Sequence, residues 1–310
     1  MAELSLRELN ELTKDPQKLI KESEIEYHSK VASVAEGVVE NDNIKLILLA
    51  GPSGSGKTTT ANLIADAIKA RGEAAMVVSL DDFYLDSLDP GYPRLQNGEK
   101  DYECPEALDL GLLSESLKKI TLGEPFVIPK YDFKVGARVD MRSFSGIGHG
   151  CVIIEGLHAL NPKISSSLDK DRIFKLFVSV STNISDENRR ILSGRKTRFI
   201  RRLVRDSIYR GATAERTLAM WKMVLAAEDI YLYPYKETAD TAFNTFHPFE
   251  LSVMKGFALD LISKNLASSD PYAKTVLEAL EKISEIDSSL VPKNSLIREF
   301  IPGGIYESLY

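Results

Sequence analysis

Cysteine is nearly absent from these 310 residues: Cys104 and Cys151 stand far apart and outside any C-x-x-C, which excludes a disulfide framework and a thiolate zinc site. Histidine is almost as sparse, and its four copies show no H-x-x-x-H spacing that would hold a metal on one helix face. No apolar run approaches the ~18 residues of a membrane span. The opening Met1-Ala-Glu-Leu-Ser-Leu-Arg-Glu-Leu lacks the basic and apolar regions of a signal peptide, so a cytoplasmic protein without a membrane partner is expected. A formal net charge of -6 argues against a general nucleic-acid binder while leaving room for a local basic cleft. The length and the 44% apolar content suit one large α/β domain or two modest ones.

What the chain does have is Ile44-Lys-Leu-Ile-Leu-Leu-Ala-Gly51-Pro-Ser53-Gly54-Ser55-Gly56-Lys57-Thr58-Thr59, an apolar strand pattern running into G-x-x-x-x-G-K-T. This is a phosphate-binding loop. Its glycines let successive N–H groups turn inward around the phosphates of a nucleotide. Lys57 is expected against the β- and γ-phosphates, and Thr58 on Mg²⁺. Ala61, Leu63, Ile64, Ala67 and Ile68 recur at helical spacing, so a helix from Lys57 to about Arg71 adds its positive end to the pocket. ATP and Mg²⁺ are the expected cofactors.

Residues 1–42 read as helical, with Leu19, Ile20, Ile25, Tyr27, Val31, Val34 and Ala35 as the stripe that packs on the nucleotide domain. Strands are expected at 44–50, 75–80, 151–155 and 173–180, with a short one near 241–246. Helices are expected at about 105–119, 184–193, 197–209 and 213–229, and a single amphipathic one at 272–286. Residues 125–148, with short β-like pieces and three glycines, suit a substrate-facing insertion. The organisation is an N-terminal helical segment (1–42), a P-loop domain (43–250) with a helical lid at about 194–213, and a C-terminal helical extension (251–310) packed on it. The fold class is α/β, a mostly parallel sheet flanked by helices.

In such sheets ligands bind at the carboxyl ends of the strands. The second strand ends in Ser79-Leu-Asp81-Asp82-Phe83-Tyr84. One carboxylate would accept a proton from an attacking hydroxyl and the other would help hold Mg²⁺ through water; the residues alone leave the two roles open. Glu155 closes Val152-Ile-Ile and stands where P-loop proteins place an acid that orders the water shell of the metal. His158, just beyond, reads as a loop histidine. From Arg189 to Arg216 the chain is densely basic without interleaved aromatics, which favours a lid over the transferring phosphoryl above a nucleic-acid groove. Arg198, Arg202 and Arg205 share one helix face, and about half of the arginines in this stretch read as plain solvated surface.

The P-loop, D-x-F-Y at 81–84, Tyr131-Asp132-Phe133, Ile154-Glu155-Gly156 and Arg202-x-x-Arg205-Asp206-x-x-x-Arg210-Gly211 together resemble the uridine kinase and phosphoribulokinase family over roughly residues 44–246. The likeness is strongest to the kinase half of long bacterial nucleoside kinases, and extends to Tyr233-Pro-Tyr-Lys-Glu-Thr-Ala-Asp240, Phe243-Asn244 and Asn294-Ser-Leu-Ile-Arg-Glu-Phe300. In those proteins a domain similar to one in threonyl-tRNA synthetases often precedes the kinase, and none is read in residues 1–42. The resemblance implies that Asp81 is the base, that Tyr84, Glu103, Tyr131 and Asp132 lie near the acceptor, and that Arg205 and Arg210 belong to the lid. Two positions depart from the pattern: Gly136 stands where uridine-cytidine kinases carry a base-contacting His, and Ala212 where they carry a lid Arg. The expected activity is transfer of the γ-phosphoryl of ATP to a small acceptor, foremost the 5′-hydroxyl of a ribonucleoside. A sugar-phosphate kinase and a slowly hydrolysing regulatory ATPase are the rivals; a GTPase switch is excluded because neither N-K-x-D nor D-x-x-G occurs. Homo-oligomerisation is left open.

Overall fold

A computed structural model describes residues 2–262 and 264–309. The chain opens with a short strand, β1 (Ala2–Ser5), and a helix, α1 (Leu6–Leu12), whose start is fixed by a reciprocal capping box between Ser5 and Glu8. Asp15 caps the long α2 (Pro16–Glu40), with Pro16 at a position where its missing N–H costs nothing. There follow β2 (Leu46–Ala50), α3 (Lys57–Lys69), β3 (Ala74–Ser79), α4 (Leu110–Leu122) and a hairpin of β4 (Phe126–Asp132) and β5 (Ala137–Phe144). Next come β6 (Gly150–Glu155), α5 (Pro162–Ser165), β7 (Ile173–Ser179), β8 (Thr182–Asp186), β9 (Arg189–Leu192), α6 (Gly194–Arg210), α7 (Ala214–Tyr231) and β10 (Thr241–Asn244). The last helices are α8 (Glu250–Leu261), α9 (Lys264–Ser269) and α10 (Pro271–Glu281).

Five parallel strands form the central sheet in the order β10-β7-β2-β6-β3. Because both faces are covered, the central strand β2 is apolar at every position rather than at alternate ones. Leu46, Leu48 and Ala50 of β2 pack with α4, Phe83 and Phe126 on one face. Ile47 and Leu49 point the other way, into a larger core shared by α2, α3, α6, α8, α10 and the segment 291–301. Cys151 is part of that core, as read from the sequence.

The register aligns the functional strand ends. Leu49 pairs with Glu155, and Glu155 pairs in turn with Ser79, so the phosphate loop, Glu155 and Asp81 leave the sheet along one edge. The insertion expected at 125–148 is the antiparallel β4–β5 hairpin, bulged between Lys130 and Tyr131, lying over that edge.

Four sequence expectations are corrected. Residues 184–193 are not a helix but the β8–β9 hairpin, turning at Glu187 (φ 45°) and Asn188 (φ 66°), a pair of positive-φ residues that matches the twist of the flanking strands. Its β8 also pairs in parallel with β1, so strand pairing overrides local helical preference. Ile25 faces solvent, 59% exposed, and is replaced in the α2 stripe by Glu24 and Val38. The segment after residue 250 holds α8 and α9 besides the shorter α10, and the expected helix at 105–119 begins later, at Leu110, with Asp109 as its cap.

Candidate functional site: a gripped phosphate loop facing a carboxylate and three arginines

The loop between β2 and α3 is shaped by two left-handed glycines, Gly54 (φ 73°) and Gly56 (φ 85°). A Cβ on Gly54 would stand 2.8 Å from the Arg198 carbonyl, so both backbone angle and space demand glycine there. Gly51 joins the loop to the buried strand, and Ser55 and Thr59 are buried within it.

Its carbonyls are held from outside. Arg198 donates to the Ser53 carbonyl (2.8 Å), Arg201 to Gly54 (3.2 Å), Thr245 Oγ1 to Ser55 (2.8 Å) and Thr60 Oγ1 to Gly56 (2.6 Å). Since N–H and C=O of one trans peptide point opposite ways, this grip turns the amides of Gly54 and Gly56 toward the cleft. The arginines are locked in turn: Arg198 makes two 2.8 Å bonds to Glu228, which also accepts from the Ser53 amide (2.9 Å), and Arg201 pairs with Glu250. All four charged side chains are at most 1% exposed. The helix expected as a lid is therefore rooted through Arg198 and Arg201, and Arg202 reaches the hydroxyl of the same Ser53.

Lys57, at the first turn of α3, rests its Nζ on the Pro52 carbonyl (3.2 Å), and Thr58 Oγ1 donates to Glu155 Oε1 (3.4 Å). Burial pushes the Glu155 carboxyl up to about 7, with Lys57 opposing and Asp81 adding to the rise. A hydroxyl and a carboxylate, both hard oxygen donors beside the loop, suit Mg²⁺, which keeps most of its waters.

Asp81 stands in the turn after β3, its amide bonded to Ser79 Oγ (3.3 Å), and its carboxylate lies open to the cleft. Desolvation by the surrounding walls raises its pKa, while Lys57, Arg210 and Arg205 pull it down and Asp82 pushes it up. Loop lysine, carboxylate and α6 arginines thus share one field. Arg202, Arg205 and Arg210 fan around buried Asp206 at 3.2, 2.7 and 3.4 Å, and Arg202 also donates to Ser53 Oγ (2.9 Å). Burial alone would raise the Asp206 carboxyl, but Arg205, Arg202 and Arg210 outweigh it and hold it below the ordinary value.

Asp82 is placed differently from the expectation of a metal-holding residue. Its oxygens accept from Arg142 (2.8 Å), Lys130 (3.1 Å) and the Tyr131 amide (3.3 Å), so it anchors the β4–β5 hairpin over the cleft. Asp132 likewise serves the hairpin turn, accepting from the amides of Lys134 (2.7 Å) and Val135 (3.3 Å). Tyr84, Tyr131 and Phe133 form an aromatic wall with ring centroids 5.1–5.8 Å apart, and Tyr84 Oη donates to the Tyr102 carbonyl. Burial raises the Glu103 carboxyl, opposed by Arg202 and reinforced by Asp81. Gly136 has φ 72°, and a Cβ there would meet Ser87 Oγ at 2.6 Å, so the turn leaves no place for a larger side chain such as histidine.

The residues that sequence reasoning missed are Glu228, Glu250 and the buried role of Arg198 and Arg201. The available signal was their company: Phe199, Ile200, Leu203 and Val204 make α6 too apolar for a solvated lid. No helix among the described residues is long and apolar enough to cross a membrane, and no group of three metal-ligating side chains occurs among them.

The chain is similar to known proteins in both sequence and fold. A uridine kinase of Schizosaccharomyces pombe is 34% identical over 169 residues, 54% of this chain and 33% of that protein. The chain therefore spans a third of that relative's length. One of Deinococcus deserti is 30% identical over 197 residues, 63% of this chain and 84% of that protein. Among solved structures, a putative fructose transport system kinase from Silicibacter sp. TM1040 shares the fold with TM-score 0.50 at 23% identity, covering 69% of this chain and 98% of that one. Residues 46–250 match the model of the Phosphoribulokinase / Uridine kinase family, two thirds of the chain including the loop, Asp81, Glu155 and the arginine cluster, and the chain belongs to that family of P-loop kinases.

Proposed function

We propose that this protein is a cytoplasmic kinase that transfers the γ-phosphoryl group of ATP to the 5′-hydroxyl of a ribonucleoside such as uridine, with residues 43–250 as the catalytic unit. The observation that carries the reading is the convergence of Asp81, Lys57, Arg205 and Arg210 at the edge of the sheet where the phosphate loop emerges. Bound MgATP would supply the transferable group, held by the loop from Gly51 to Thr59, with Thr58 and Glu155 on the metal side. Asp81 accepts the proton of the attacking hydroxyl, and its raised pKa makes it a better base than an ordinary aspartate. Lys57, Arg205 and Arg210 balance the charge on the reacting phosphoryl, and no covalent intermediate is needed. Tyr84, Tyr131 and Glu103 bound the acceptor; Asp132 contributes by shaping the hairpin, and Asp82 by fixing it.

A second reading, a kinase of a sugar phosphate or similar metabolite, is favoured by Gly136, which removes a side chain that would read a pyrimidine edge. The test is kcat/KM with MgATP across uridine, cytidine, 5-substituted uridines, purine nucleosides, ribose and sugar phosphates. Nucleosides should be phosphorylated with tight demand for the ribose and loose demand for the base. Turnover of a sugar phosphate alone would transfer the assignment to the second reading. ATP hydrolysis unaffected by every acceptor would instead make the protein a regulatory ATPase.

A further inference from the structure

Helix α3 begins without a cap of its own. Gly56, its N-cap, offers no side chain, and the first intrahelical bond is from the Thr60 amide to the Gly56 carbonyl (3.0 Å). The amides of Lys57, Thr58 and Thr59 therefore meet no carbonyl of their own helix and take acceptors from outside it. Phosphate can take the first two. The third donates to Glu299 Oε2 (3.2 Å), a carboxylate 240 residues away and only 4% exposed.

Glu299 belongs to a buried segment that touches the loop at several points. Leu296 lies behind Gly56, where an added Cβ would stand 2.7 Å from Leu296 Cδ1. The Phe300 ring lies 4.9 Å from the guanidinium of Arg201, the residue that holds the Gly54 carbonyl. The Ile301 carbonyl accepts from Tyr209 Oη (3.1 Å), next to Arg210 on α6. Arg298 ties the segment down through the carbonyls of Ser288 (2.9 Å) and Val291 (2.6 Å). Loop, first turn of α3 and arginine helix are thus joined by one stretch outside the residues that match the family model.

We propose that Ser295–Ile301 is a positioning element of the nucleotide site, with Glu299 setting the first turn of α3 and Leu296 backing Gly56, so that nucleotide binding and docking of this segment are thermodynamically coupled. The inference rests on the P-loop as the nucleotide site and not on the identity of the acceptor. Glu299→Ala removes the acceptor for the Thr59 amide, and calorimetry with MgATPγS should show affinity reduced about tenfold or more. The ATP KM should rise in parallel, with kcat and the acceptor KM within about threefold. Glu299→Gln, which keeps an oxygen for that amide, should restore affinity to within about threefold of the parent. In the unaltered protein, saturating MgATPγS should slow amide hydrogen exchange across 295–301, because coupling is reciprocal. A Glu299→Ala protein that melts lower but binds MgATPγS as tightly as the parent would overturn the proposal, as would exchange at 295–301 that ignores nucleotide. Failure of the unaltered protein to bind MgATPγS would refute the P-loop reading itself, and the proposal with it.

Discussion

Two adjacent carboxylates, Asp81 and Asp82, differ in what their surroundings let them do. Asp81 is left facing Lys57 and the arginines, whereas Asp82 is held by Arg142 and Lys130. Asp81→Asn should keep nucleotide affinity and slow transfer by roughly 10²–10⁴. Asp82→Asn should act through the hairpin, raising the acceptor KM more than it lowers kcat; steady-state kinetics of the pair checks the division, and a larger kcat loss in Asp82→Asn would reverse the roles. Lys57→Ala should reduce kcat/KM by about 10³ or more without unfolding the protein, measured beside a melting curve. His158 carries a pH prediction. Burial lowers its pKa to about 4, against the hydrogen bond to the Glu103 backbone and the charges of Glu106 and Asp101. Because the folded value lies below the unfolded one, its contribution is complete above about pH 6.5 and is lost as pH falls toward 4, roughly 3 kcal/mol in all. Asp81 and Glu155, with raised values, act in the opposite sense, so the test is the difference between parent and His158→Gln stability curves. That difference should appear below pH 6.5 and grow toward pH 4.

At the scale of elements, α6 is a scaffold on one face and carries the arginine cluster around Asp206 on the other. Arg198 and Arg201 hold loop carbonyls; Arg202, Arg205 and Arg210 face the cleft. Breaking the buried Arg198–Glu228 pair by Glu228→Ala should lower stability by about 3–5 kcal/mol, seen as a fall in melting temperature of roughly ten degrees. Arg198→Met combined with Glu228→Leu should recover much of that stability yet still bind nucleotide weakly, since the Ser53 amide and carbonyl lose their partners. Recovered affinity in the double variant would show that the pair only stabilises. Sequence made the phosphate loop, β2, β3, β6 and β7 legible because each is a contiguous pattern whose meaning is local. It hid the β8–β9 hairpin, whose charged Asp186-Glu-Asn-Arg-Arg190 masks the burial of Ile184 and Leu192. It also hid the work of Arg198, because Glu228 lies 30 residues away and no short spacing links the two.

Across the whole molecule, the sheet register brings loop, Glu155 and Asp81 to one edge, with the β4–β5 hairpin on one side of the cleft and α6 on the other. The candidate site was readable at the strand ends, where a carboxylate after an apolar run has few structural reasons to exist. Its outer support was not, because α2, α8 and residues 295–301 reach the loop only through tertiary contacts such as Tyr27 Oη with Thr60 Oγ1 (2.6 Å). The departure at Gly136 likewise became intelligible only as a left-handed turn pressed against Ser87. The central claim is that this arrangement delivers a phosphoryl group from ATP to a nucleoside hydroxyl with Asp81 as base. Its most direct test is single-turnover transfer of labelled γ-phosphate to uridine by the parent and by Asp81→Asn. Label is expected on the uridine 5′-oxygen, formed roughly 10²–10⁴ times more slowly by the variant at equal nucleotide affinity. Label released only to water, or transfer by Asp81→Asn at the parental rate, would contradict it.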